Sequence, residues 1–136
     1  MSDIVINKAE IIERALAGIH DTYTRHRDDL EQSFDAQDVI LLNLQRACEA
    51  AIDLAMHIVR VGALGLPKDS KTAFDLLSQA GEISAELADK LKKMTGFRNI
   101  AVHDYRALDW AIVRSVIEKG TLDLSDFAAA MVKKHG

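Results

Sequence analysis

Ala36-Gln37-Asp38-Val39-Ile40-Leu41-Leu42-Asn43-Leu44-Gln45-Arg46-Ala47-Cys48-Glu49-Ala50-Ala51-Ile52-Asp53-Leu54-Ala55-Met56-His57-Ile58-Val59-Arg60-Val61 contains neither proline nor glycine. Its apolar residues return every three or four positions, the rhythm of a helix with one face in a core. Val39, Leu42, Ala47, Ala50, Leu54, Ile58 and Val61 are expected to form that face, and Gly62 stands as the stop. At 1.5 Å per residue, residues 36–61 make a rod of roughly 39 Å, enough to cross a small domain. The alanines at 47, 50, 51 and 55 leave room for a neighbouring helix to approach closely.

The same rhythm continues outward in both directions. Ile11, Ile12, Leu16, Ile19 and Tyr23 predict a first helix over residues 7–29, frayed at its polar end. After the Gly62–Ser70 loop, Ser70 is expected to cap a short helix over 71–79 that buries Phe74, Leu76 and Leu77. A fourth helix begins near Ser84 and carries Leu87, Leu91 and Met94 on one side. A fifth starts at 108 or 109, with Gly120 bending or ending it before a last segment over 125–134. No stretch alternates like a strand. The expectation is an all-α, up-and-down bundle of four to six helices, with residues 1–136 forming one domain.

Length and composition agree. A chain of 136 residues with 49% hydrophobic and 28% charged residues can bury a real core. Seven glycines and one proline are too few for a turn-rich β-sandwich or barrel. The longest apolar run, Phe127 to Val132, is too short for a bilayer, and the Met1-Ser2-Asp3 start does not read as a secretion signal. The single cysteine, Cys48, allows no internal disulfide and fits a reducing, cytoplasmic setting. The net charge of −4 gives no reason by itself to expect a nucleic-acid partner. Between Lys90 and Lys119, however, seven basic residues stand against three acidic ones, a local +4 that leaves −8 for the rest. That window could hold an anion, or it could be an ordinary solvated helix face.

Inside it lies Gly96-Phe97-Arg98-Asn99-Ile100-Ala101-Val102-His103-Asp104-Tyr105. Arg98 can grip a phosphate, His103 can move a proton near neutral pH, and Asn99 and Tyr105 can hydrogen-bond a sugar or base. On a helix Asn99 and His103 share a face, while Arg98 and His103 lie about 140° apart and some 7.5 Å along the axis. An arginine of that reach can still touch a ligand that the imidazole touches. An ion-paired arginine and a packed histidine would be the ordinary alternative.

Arg98, Asn99, His103, Asp104 and Tyr105 together resemble the Arg-x4-His motif of HEPN domains, with the tyrosine that marks one branch. The chain is similar to the HepT family, the toxin halves of HepT/MntA toxin–antitoxin pairs. The likeness extends to Ile40–Ala50, Leu64-Gly65-Leu66-Pro67 and Leu91-Lys92-Lys93-Met94, and so covers nearly the whole chain. The resemblance implies a metal-independent endoribonuclease that needs no cofactor and works as a homodimer, with Arg98 and His103 of both chains facing one cleft. It also implies an RNA substrate, tRNA or mRNA, and a MntA-like nucleotidyltransferase antitoxin that AMPylates Tyr105. A non-catalytic HEPN subunit that binds nucleotide or substrate for a nucleotidyltransferase is the alternative.

Glu49, Asp53 and His57 repeat every four residues on the second helix. They are expected to line the cleft as a polar stripe rather than to bind a metal, with Asp53 the candidate to support Arg98. Cys48 reads as a small buried hydrophobe, and Trp110 and Phe127 as core or interface residues. His20, His26 and His135 are expected on helix surfaces or ends.

Overall fold

The computed structural model describes residues 3–103 and 108–136, with the backbone alone for Val102 and His103. Every regular element among the described residues is helical, as the period of the apolar residues requires. None of these helices is long and apolar enough to cross a membrane.

Helix α1 spans Asp3–Arg25 and buries Val5, Ala9, Ile12, Leu16, Ile19 and Tyr23. It begins four residues earlier and ends four earlier than the sequence suggests; residues 26–32 form turns. Ser33 caps α2, Phe34–Val61, its hydroxyl accepting from the Ala36 amide at 3.2 Å. The buried stripe of α2 runs through Ile40, Leu44, Ala47, Cys48, Ala51, Leu54, Ala55 and Ile58. Val39, Leu42 and Val61 are not part of it: they are 41%, 47% and 62% exposed. Val39 lies one residue, hence about 100°, from Ile40, and so projects off the buried face.

Lys8 meets Asp53 and the Gly18 backbone meets Asn43, so α1 and α2 run antiparallel. A methyl at Gly18 would stand 3.0 Å from the Asn43 amide nitrogen, a measure of how closely the two helices approach. Gly62 ends α2 as expected, its N–H donating to the Ile58 carbonyl at 2.9 Å. In the loop that follows, Gly65 has φ +138, a conformation open to glycine.

Helix α3, Ser70–Gln79, is capped by Asp69 rather than Ser70. The Asp69 carboxylate accepts from both the amide and the hydroxyl of Thr72 at 2.8 Å, and these bonds hold its pKa below the ordinary carboxylate value. Phe74 and Leu77 are buried, but Leu76 is only partly so. Ser84 caps α4, Ala85–His103, by accepting from the Leu87 amide at 3.0 Å. Ala88, Leu91 and Met94 face the core, with Leu87 partly buried beside them.

Asp109 caps α5, Trp110–Ser115, which passes through a π turn at Val116–Gly120 into α6, Thr121–His135. The helix therefore runs on through Gly120 rather than ending there. Thr121 donates to the Ile117 carbonyl across the π turn at 2.7 Å, while its oxygen lies 3.3 Å from His20 Nε2. Ser125 donates to Glu13 at 2.9 Å, so α6 runs antiparallel to α1 and parallel to α2. Phe74 and Phe127 meet edge to face, centroids 5.7 Å apart, joining α3 to α6 in the core.

Candidate active site

Arg98 lies five residues before His103 on the last turns of α4. Its Nη1 is 3.5 Å from Glu49 Oε1 of α2, and Gln45 Nε2 donates to the same oxygen at 3.1 Å. The geometry is loose, a long ion pair with an exposed carboxylate, so the guanidinium is held without being saturated. Its Nε is buried and has no hydrogen-bond partner among the described residues. A cavity of about 330 Å³ opens beside it, lined by Asp38, Leu41, Leu42, Gln45 and Ala101 among others. A guanidinium at the wall of a partly apolar cavity, held by one long ion pair, suits an anionic ligand with an apolar portion.

Asn99 and Ile100 are exposed, so this turn of α4 faces solvent next to the cavity. The helix is continuous to His103, which places Asn99 one turn before His103 on the same face. Tyr105, the expected modification site, lies outside the described residues, as does Asp104.

The polar stripe of α2 does not stay together. Glu49 is the acid at Arg98, whereas Asp53 binds Lys8 of α1 at 3.2 Å and does not support Arg98. Residues four apart drift about 40° per step round a helix, so Asp53 has turned toward α1 and His57 into the interior. His57 is buried, and Arg60 Nη2 lies 3.1 Å from its Nδ1, an arrangement that requires that nitrogen unprotonated. Burial, then the charges of Arg60 and His135, hold its pKa below the ordinary value.

Cys48 lies under the site, buried as expected, and its pKa is pushed up to about 12 by burial although the nearby Arg98 charge opposes this. It is a packing residue with an inert thiol. The basic excess between Lys90 and Lys119 is largely absorbed by acids from elsewhere in the chain. Lys90 reaches Asp123, Lys92 binds Asp75 at 2.8 Å, and Arg114 grips Glu31 through two bonds. Those contacts fasten α4 and α5 to the bundle, whereas Arg98 itself lines the cavity. The Gln45–Glu49–Arg98 chain and the wall formed by Asp38, Leu41 and Leu42 did not follow from the motif. The i, i+4 spacing of Gln45 and Glu49 was the available signal.

Comparison with known proteins bears on the same segment. The family model described as ribonuclease HepT-like matches residues 12–131. The chain belongs to the ribonuclease HepT-like family. It is 46% identical over 127 residues to the mRNA nuclease HepT of Shewanella oneidensis, covering 93% of this chain and 95% of that one. It is 30% identical over 106 residues to the tRNA nuclease HepT of Aphanizomenon flos-aquae, covering 78% and 72%. The solved structure of the tri-AMPylated Shewanella oneidensis HEPN toxin in complex with MNT antitoxin superposes with a TM-score of 0.92. That match has 44% identity and covers 98% of this chain and 99% of the other. The all-α HEPN fold and the HepT-type toxin reading expected from the motif are thereby borne out, and the reading as a non-catalytic subunit is not favoured.

Proposed function

We propose that this HepT-like chain is the endoribonuclease toxin of a toxin–antitoxin pair, a single HEPN domain acting in the cytoplasm as a homodimer on tRNA or mRNA. The placement of Arg98 carries the reading: an incompletely satisfied guanidinium on a cavity wall, five residues before His103 on one helix. In the reaction, His103 of one chain takes the proton from a ribose 2′-hydroxyl. The 2′-oxygen then bonds to phosphorus, and the phosphorus–5′-oxygen bond breaks. The departing oxygen receives its proton from His103 of the other chain. Arg98 exchanges part of its hold on Glu49 for the phosphate oxygens, whose charge grows in the transition state. Asn99, exposed one turn before His103, orients the phosphate. All of this proceeds without a metal or a cofactor.

A homodimer is supported by exposed apolar side chains at the site: Leu42, which lines the cavity, is 47% exposed, and Ile100, between Asn99 and the cavity-lining Ala101, is 58% exposed. A MntA-like nucleotidyltransferase antitoxin switches the enzyme off by AMPylating Tyr105, placing bulk and negative charge beside the phosphate site. Similar toxins have been solved with such an antitoxin, which supports this partner.

The test is cleavage of labelled RNA by the purified chain with and without EDTA. Wild type should cut in both. His103→Ala and Arg98→Ala should lose cleavage while retaining helicity. Cleavage restored only by a divalent ion, or retained by both variants, would overturn the mechanism.

A further inference from the structure

Most arginines of this chain are spoken for. Arg25 pairs with Asp21, Arg27 stacks on Tyr23, Arg60 meets His57, Arg98 meets Glu49, and Arg114 binds Glu31. Arg14 of α1 and Arg46 of α2 have no hydrogen bond or ion pair among the described residues. These two line the same groove, about 380 Å³ between α1 and α2, together with Asn7, Asn43 and Glu10. Among the described residues that line the groove, Glu10 is the single carboxylate and engages neither arginine, so these residues carry a net positive charge. Two guanidiniums on one small groove repel each other, and an anion between them relieves that repulsion.

The groove also stands beside the candidate active site. Arg46 precedes Glu49, the partner of Arg98, by three residues, which is about 60° round α2 and 4.5 Å along it. Gln45, its sequence neighbour, lines the Arg98 cavity. Arg46 and Glu49 are both exposed, so the two cationic sites open on one side of the bundle, with the outer face of α2 between them.

We propose that Arg14 and Arg46 form a second phosphate subsite, which holds a backbone phosphate of single-stranded RNA flanking the phosphodiester at Arg98. The Asn7 and Asn43 side chains supply neutral hydrogen-bonding groups for the same phosphate or its ribose. Such a contact carries no base information; it sets affinity and register along the strand. The inference rests on the ribonuclease reading above.

The experiment measures binding of a fluorescein-labelled single-stranded RNA oligonucleotide to full-length His103→Ala protein, which does not cut it, across a salt series. The same protein carrying Arg14→Gln and Arg46→Gln should bind about tenfold more weakly at low salt. Its plot of log affinity against log salt should be shallower by about 0.7 for the phosphate released. Since neither side chain has an internal partner, thermal stability should be unchanged, and mass in solution should match the parent. Equal affinity and slope in parent and double variant would overturn the subsite and leave the ribonuclease reading standing. A parent without salt-dependent RNA binding, together with a wild type that cuts no RNA, would overturn both. A double variant whose mass drops to that of a monomer would assign the two arginines to a protein interface instead.

Discussion

Arg98 Nη1 stands 3.5 Å from Glu49 Oε1, and the arginine side chain is 21% exposed against 50% for the glutamate. The cation is thus the more enclosed member of the pair, and its carboxylate can yield to solvent. A phosphate arriving from the cavity competes with Glu49 for the same guanidinium. Exposed pairs of this kind contribute about 0.2–1 kcal/mol, a small barrier to exchange.

Glu49→Gln removes the competing charge and leaves a side chain of the same shape beside Arg98. RNA affinity should rise, by up to about fivefold if the pair is worth about 1 kcal/mol. Fluorescence anisotropy with labelled RNA checks this. Weaker binding in the variant would mean that Glu49 aims the arginine rather than restraining it.

Leu42→Glu combined with Ile100→Glu places charge in the exposed apolar surface around the cavity. Both positions are open to solvent in the single chain, so folding stability should change by only about 0.5 kcal/mol. Light scattering should report a monomer, and RNA cleavage should be lost with the dimer. An intact dimer with full activity would move the interface elsewhere.

Tyr105→Phe removes the hydroxyl that the antitoxin is proposed to modify. The variant should keep much of its nuclease activity and escape control when incubated with the antitoxin and ATP. Mass spectrometry should locate the adenylyl group on Tyr105 in the wild type and find none in the variant. Modification at a different residue would discard this switch.

His57 gives stability a pH dependence. Its folded pKa is lowered by burial, then by the charges of Arg60 and His135. As pH falls through the ordinary histidine value of about 6.5, the unfolded chain takes up the proton before the folded one does. Stability is full above that value and declines below it, toward the lower folded pKa. His57→Gln should therefore lose less melting temperature than wild type between about pH 7 and pH 5. Calorimetry at both pH values decides it; equal losses would place the titration in other groups.

The helical period made the architecture legible, because a 3–4 residue rhythm is a local property that packing rarely overrides. Val39 and Leu42 carry the pattern of core residues and yet lie exposed, because apolar character alone does not say which of two adjacent stripes faces inward. That choice depends on where α1 and α4 lie. The same cause misplaced Asp53. Spacing put it one turn from Glu49, but the 40° drift gave it to Lys8 of α1. Arg98 stood out from its motif, while Gln45 and the cavity wall depended on a contact across 49 residues that no local pattern encodes. Asp69 took the cap from Ser70 since its carboxylate accepts from Thr72 twice.

The π turn at Val116–Gly120 makes the spacing of the last helix unforgiving. Gly120 lies so close to Met94 of α4 that a methyl there would come within 2.7 Å of the thioether sulfur. Upstream, Asp109 fixes the start, and downstream Phe127 and Met131 are fully enclosed. Removing one residue between these anchors would swing everything after it by about 100°, turning Phe127 and Met131 out of the bundle. Point changes on the outer face can accumulate freely, but insertions and deletions there cannot. Related chains should therefore vary in the letters of this helix and hold its length constant.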